Sequence, residues 1–200
     1  HTHTALAVEH ALDLAARKVG IDPVEYRRRL LTNNAQWLRV LELAAERSGW
    51  GSELAAGHAR GIAIHASFGS VVAQVAEVSI ENDRPRVHRV VAAVDMGRVV
   101  NPLHAKGQIE GGIVFGLAAA LHQQISFKDG RVQQSNFHDY PLLRQREMPQ
   151  IEVHLIESEA DPGGAGEPGT PPIAPAVANA LLALTGRATT RLPFGRIGIA

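Results

Sequence analysis

The sequence predicts an α+β fold, with a mixed or antiparallel sheet and helices packed on one side. Apolar residues recur at helical spacing near both ends of the chain and again over residues 103–124. Between the helical region at the start of the chain and the one over residues 103–124 lie consecutive Val- and Ile-rich stretches. They are separated by turn residues, which is typical of neighbouring strands. Strands that follow one another directly, with helices grouped around them, favour this class.

Composition excludes several classes of function. The 200 residues are 45% hydrophobic, enough for one buried core. The 20 basic residues balance the 20 acidic ones, so neither a nucleic acid nor an acidic membrane surface is expected as a partner. No apolar run reaches the roughly eighteen residues that a membrane span needs. The absence of cysteine excludes disulfides and any iron–sulfur cluster bound by this chain.

Three helices are predicted at the start of the chain, over residues 5–19, 23–31 and 35–49. Gly20 ends the first, Asp22 caps the second, and Asn33 or Asn34 caps the third. Three consecutive arginines, at 27–29, are expected to form a solvated face.

Three strands are predicted next, over residues 61–68, 71–80 and 86–95, the last two forming a hairpin. His65 and His88 alternate with apolar neighbours, so we interpret them as ordinary strand side chains. Only His1 and His3 have a spacing that suits a metal, which makes a zinc site bound by the protein an unfavoured interpretation.

The second half of the chain continues with a helix over residues 103–124, a hairpin around residues 128–130, a strand over 151–156 and a helix over 172–184 ended by Gly186. His138 and Asp139 could suggest an acid–base pair. Adjacent strand residues point to opposite faces, however, so we expect them to be structural.

The helix over 103–124 carries Gly111, Gly112 and Gly116 close to Gln108. Each glycine inside a helix costs about 1 kcal/mol relative to alanine. Their grouping therefore indicates that another group approaches the helix backbone closely here. Tight packing of the helix is one explanation. The other is a flat cofactor that lies against the glycines and is hydrogen-bonded by Gln108.

A glycine-rich loop over residues 163–172 carries a single carboxylate, Glu167, followed at once by Pro168. Glycine lets another molecule approach the backbone, and the proline restricts Glu167 to extended geometry. Such a loop could hold a general base over a substrate. It could also be a solvated turn, because a glycine-rich loop is a weak signal.

Several segments, in this order, resemble the molybdenum hydroxylases, the xanthine oxidase and aldehyde oxidoreductase family. The similarity is greatest to the large, molybdopterin-binding (beta) subunit of isoquinoline 1-oxidoreductase-type enzymes. The segments are residues 94–97 (VDMG), 101–102 (NP), 108–112 (QIEGG), 135–140 (SNFHDY) and 164–180 (GAGEPGTPPIAPAVANA).

The resemblance implies hydroxylation of an N-heteroaromatic compound or an aldehyde, with water as oxygen donor. Glu167 matches the family's catalytic base, while Gln108, Gly111, Gly112 and Gly166 match cofactor-contacting positions. The implied cofactor is molybdenum–molybdopterin in its cytosine dinucleotide form, with the metal held by the pterin dithiolene. The resemblance also implies a partner, an iron–sulfur small subunit with two [2Fe–2S] clusters, through which electrons would leave.

The resemblance also implies that residues 1–200 are the C-terminal part of a molybdopterin-binding domain, with the remainder of the subunit upstream. The family's other cofactor loops do not occur in these residues, so we expect the fragment alone to be inactive. A non-catalytic scaffold domain of the same fold is the main alternative. An anion-binding loop is less favoured because Glu167 would repel phosphate.

Overall fold

The computed structural model describes residues 1–195, and the last five residues of the predicted domain, 196–200, lie outside the described residues. The helices are α1 (Thr2–Lys18), α2 (Pro23–Leu30), α3 (Ala35–Ser48), α4 (Pro102–Leu121) and α5 (Ile173–Thr185). The strands are β1 (His58–Ser67), β2 (Ser70–Glu81), β3 (Arg84–Asp95), β4 (Phe127–Lys128), β5 (Arg131–Val132) and β6 (Gln150–Ile156). A short 3₁₀ turn, Gln145–Glu147, precedes β6. Within residues 1–195, no helix is both long enough and apolar enough to cross a bilayer.

The main sheet has the strand order β1-β2-β3-β6 and is mixed, as predicted. Two antiparallel hairpins join β1 to β2 and β2 to β3, and β6 runs parallel to β3. Asn82 and Asp83 both have positive φ angles, of 51° and 61°, which suits the tight turn between β2 and β3. A parallel pair requires a long crossover, and α4 with the small β4–β5 hairpin provides it.

Helices cover both faces of this sheet, so the prediction that they lie on one side was wrong. Side chains of β2 alternate between two cores. Val72 and Ala76 face α4 and α5, whereas Val71 and Val75 face α3. Strands buried on both faces give nearly continuous apolar runs, and such runs do not show in sequence which face a helix covers.

The predicted helix ends are confirmed in several places. The Asp22 carboxylate accepts hydrogen bonds from Val24 N and Glu25 N, and Asn34 rather than Asn33 caps α3. Asn101 caps α4 by accepting from His104 N. These contacts satisfy amide groups that have no partner inside the helix.

Arg27 does not belong to a solvated face, and this part of the prediction was wrong. It lies between α1 and α2 with 1% exposure. Its Nε is 2.9 Å from Glu9 Oε2 and its Nη1 is 2.7 Å from Asp13 Oδ1. Burial raises the pKa of Glu9 and of Asp13, and Arg27 opposes the rise. Arg29 is exposed and pairs with Glu25, as a solvated residue would.

Candidate active site

All five predicted site residues line one cavity of about 580 Å³ between α4, the loop over 163–172 and the β1–β2 turn. They are Gln108, Gly111, Gly112, Gly166 and Glu167. The first three come from α4 and the last two from the loop, so the fold brings together two segments that lie far apart in sequence.

The α4 wall of the cavity is open backbone. Gly107, Gln108, Gly111 and Phe115 share one helical face because they are spaced by three or four residues. A Cβ atom added at Gly107 or Gly111 would meet no atom within 4 Å. A flat group can therefore approach this part of the helix closely.

The remaining α4 glycines serve packing. A Cβ atom on Gly116 would lie 2.7 Å from both Ile173 Cγ2 and Thr170 O. A Cβ atom on Gly112 would lie 3.3 Å from Thr170 Oγ1, and that hydroxyl donates to Gly112 O at 3.1 Å. Tight packing therefore explains why residue 116 is glycine, and it partly explains why residue 112 is glycine. The open wall at Gly111 and Gln108 is left as the surface that a cofactor could contact.

The loop that carries Glu167 is anchored along its length. Gly164 N donates to Phe68 O at 2.7 Å, and Gly163 N donates to Met96 O at 2.7 Å. Thr170 N donates to Glu167 O at 2.9 Å. The loop backbone is thus tied to the β1–β2 turn, to the end of β3 and to itself.

The Glu167 side chain is exposed and faces the cavity. Among residues 1–195, no hydrogen bond or ion pair involves its carboxylate or the Gln108 amide. An added Cβ atom on Gly166 would come within 3.8 Å of Gln108 Oε1, so the loop and α4 meet at this point. The arrangement offers a carboxylate able to accept a proton beside an amide that can donate and accept hydrogen bonds.

His138 and Asp139 lie outside this cavity. The prediction that they point to opposite sides of a strand was wrong, because β5 ends at Val132 and they occupy a turn. His138 Nε2 is 3.4 Å from Asp139 Oδ2, and the Asp139 carboxylate also accepts from Ser135 N and Asn136 N. The backbone N–H of Asn136 is the main cause that lowers the pKa of Asp139. Its role here is to close the turn.

Sequence reasoning missed two aromatic walls of the cavity, Phe115 and Phe68, which are 66% and 53% exposed. Phe115 could have been found from its helical spacing to Gln108. Phe68 could not, because only the β1–β2 hairpin brings it to the loop.

The cavity walls fit a flat heterocyclic group: the open helix backbone provides a surface and the Gln108 amide provides polar contacts. Within the described chain, no group of three or more His, Cys, Asp or Glu side chains could hold a metal ion.

The chain belongs to the molybdopterin cofactor-binding domain family, which matches over residues 7–149. The match includes Gln108, Gly111 and Gly112 and ends before Gly166 and Glu167.

Two relatives place the chain more closely within the molybdenum hydroxylases. It is 38% identical to the beta chain of isoquinoline 1-oxidoreductase from Brevundimonas diminuta, over 94% of this chain and 25% of that protein. It is 32% identical to one of the subunits of nicotinate dehydrogenase from Pseudomonas putida, over 95% of this chain and 18% of that protein. The chain thus spans a quarter or less of the length of these relatives.

The fold is also similar to that of quinoline 2-oxidoreductase from Pseudomonas putida 86, with a TM-score of 0.57. This similarity covers 62% of the chain and 17% of the quinoline enzyme, at 24% identity. The sheet and its helices therefore share the architecture of part of that oxidoreductase.

Proposed function

We propose that this chain forms part of the active site of a molybdenum hydroxylase in which Glu167 is the general base. The observation that carries the proposal is the convergence of Glu167, Gln108 and Gly111 on one cavity. The proposed substrate is an N-heteroaromatic compound resembling isoquinoline, or an aldehyde, and water is the oxygen donor. Relatives named isoquinoline 1-oxidoreductase and nicotinate dehydrogenase support this substrate class.

The proposed cofactor is molybdenum–molybdopterin in the cytosine dinucleotide form. When bound, this group supplies the two-electron redox chemistry that side chains cannot provide. Gln108 would hydrogen-bond the edge of the pterin with its free amide. Gly111 and Gly166 would allow close approach because neither has a side chain, and Gly112 would keep α4 close to the loop.

In this scheme the Glu167 carboxylate would accept a proton from the water-derived nucleophile as its oxygen bonds to the substrate carbon. The C–H bond at that carbon would break, and its electron pair would be taken up by the two-electron redox chemistry that the cofactor supplies. The proton then resides on a Glu167 carboxyl oxygen. Because Glu167 is exposed at the cavity, it can pass this proton to solvent and return to the ionised form. General-base assistance of this kind contributes about 10²–10⁴-fold to a rate.

Electrons would leave through a partner subunit that carries [2Fe–2S] clusters, and the remainder of the chain's own subunit would complete the cofactor site. Relatives named as subunits, including those of isoquinoline 1-oxidoreductase and of the 6-hydroxypseudooxynicotine dehydrogenase complex, support an assembly of this kind.

The test is metal analysis and isotope labelling of the complete enzyme after expression with cofactor assembly. We expect stoichiometric molybdenum and, in ¹⁸O-labelled water, incorporation of the label into the hydroxylated product. Absence of molybdenum under these conditions would favour the scaffold alternative. Product oxygen derived from O₂ rather than water would contradict the proposed reaction.

A further inference from the structure

Gln74 is a buried polar residue that the proposed chemistry does not explain. It lies in the middle of β2 with 0% exposure, and its side chain faces α4 and α5. Its Nε2 donates to Gly169 O at 2.7 Å. Its Oε1 is buried without a hydrogen-bond partner among the described residues. Burying an amide with an unpaired acceptor is costly, so a function is expected to retain it.

Ser70 makes a matching contact from the same strand. It is 1% exposed, and its Oγ donates to Gly164 O at 2.6 Å. Ser70 and Gln74 are four residues apart, so their side chains point to the same face of β2. Four residues of strand span about 13 Å. The two side chains therefore hold the loop at two separate carbonyls, one on each side of Glu167.

The loop needs such contacts because its own sequence does not fix its shape. Gly163, Gly164 and Gly166 each have wide backbone freedom, which favours many conformations of the unrestrained loop. A strand in the centre of a four-stranded sheet is by contrast a rigid support. Hydrogen bonds from this strand transfer its rigidity to the loop.

We propose that Ser70 and Gln74 are positioning residues that fix the Glu167 loop to β2, so that the carboxylate is held at one place in the cavity. This inference rests on the proposed role of Glu167 as base. Neither residue lines the cavity, and both act through the loop backbone by binding its carbonyl oxygens. Misplacement of a reacting group by about 1 Å can cost about 10²-fold in rate.

Gln74→Met in the cofactor-loaded enzyme is the main test, because methionine keeps the length of the side chain and removes the donor and the unpaired acceptor together. We expect kcat to fall by about 10–100-fold. KM should change less than about twofold and molybdenum content should not change, because substrate and cofactor contacts remain. Hydrogen exchange of the Thr170 amide, which bonds Glu167 O, should accelerate at least about tenfold.

Val72→Ala is the matched control. Val72 lies between Ser70 and Gln74 on the same face of β2, is 0% exposed and belongs to the apolar core. Its truncation should lower Tm because it leaves a cavity. Turnover and exchange of Thr170 should stay at wild-type values.

Ser70→Ala extends the test in case Gln74→Met does not fold. It removes one hydroxyl and should produce the same pattern, with faster exchange at the Gly164 amide. Unchanged exchange in both variants would overturn the proposal. So would a loss of kcat that only follows a loss of Tm or molybdenum. If exchange accelerates while Glu167→Gln keeps full activity, the loop is anchored by these residues but the base has been assigned wrongly.

Discussion

At the scale of single residues, Arg27 shows how burial changes the contribution of an ion pair to stability. Its guanidinium pairs with one oxygen of each of two carboxylates, Glu9 and Asp13, in a region closed to solvent. Removing one member of such a group leaves charge buried without compensation, and this typically costs about 3–5 kcal/mol. Arg29, two positions away, pairs with Glu25 at the surface, where solvent screens the pair.

We therefore expect Arg27→Met to lower the free energy of unfolding by about 3–5 kcal/mol. Arg29→Met, the matched control on the same helix, should lower it by no more than about 0.5 kcal/mol. Urea unfolding of the two variants measures both values. Similar losses in the two variants would mean that Arg27 is not buried as described.

Glu9 gives a prediction with a definite sign on pH. Burial raises its pKa despite Arg27, so the folded state binds the proton more tightly than the unfolded chain. Stability from this group is present below an ordinary carboxyl pKa of about 4 and is lost as pH rises through the raised pKa. Glu9→Gln cannot titrate. As pH rises from about 4 to about 7, wild type should therefore lose free energy of unfolding relative to the Glu9→Gln variant.

Urea titrations of wild type and Glu9→Gln at several pH values give this difference. A shift in favour of wild type with rising pH would show that the attraction of Arg27 outweighs desolvation and that the pKa of Glu9 is lowered.

At the scale of elements, α4 combines an open glycine wall with a packed one. Gly111 has no neighbour where a side chain would go, whereas Gly116 lies against Thr170 and Ile173. Substitutions at these two positions can therefore test the cofactor explanation and the packing explanation separately on one helix.

Gly111→Ala should raise the free energy of unfolding by about 1 kcal/mol, because alanine is the better helix former. It should also reduce molybdenum content if the pterin lies on this wall. Gly116→Ala should instead cost about 1–3 kcal/mol through overpacking. Thermal unfolding and metal analysis of both variants decide between the explanations. Full molybdenum content in the Gly111→Ala variant would mean that this face of α4 does not contact the cofactor.

The elements also show which features the sequence could predict. Helix caps at Asp22 and Asn34 and the turn at 82–83 depend on neighbouring residues, so local patterns were sufficient. The burial of Arg27 depends on the contact between α1 and α2, which no local pattern contains. The coverage of both sheet faces likewise depends on contacts between distant segments, because α3 packs on one face while α4 and α5 pack on the other.

At the scale of the whole molecule, the candidate site is assembled from α4, the glycine-rich loop and the β1–β2 hairpin. The sequence predicted Glu167 and Gln108 because each lies in a recognisable local motif. It did not predict Gln74, whose contact with Gly169 joins residues 95 positions apart. Predicting such contacts requires the topology of the sheet as well as the motifs.

The central claim is that Glu167 is the general base, and turnover by Glu167→Gln in the complete enzyme tests it most directly. Glutamine keeps the shape of the side chain but cannot take up the proton, so kcat should fall by at least about 10² with molybdenum content unchanged. The free energy of unfolding should change by less than about 1 kcal/mol, because the side chain is exposed.

Glu110→Gln and Asp139→Asn are the controls, since both carboxylates lie outside the cavity. We expect these two variants to keep wild-type kcat while Glu167→Gln loses it. Near-full turnover by Glu167→Gln at saturating substrate, with either control inactive, would contradict the assignment of Glu167.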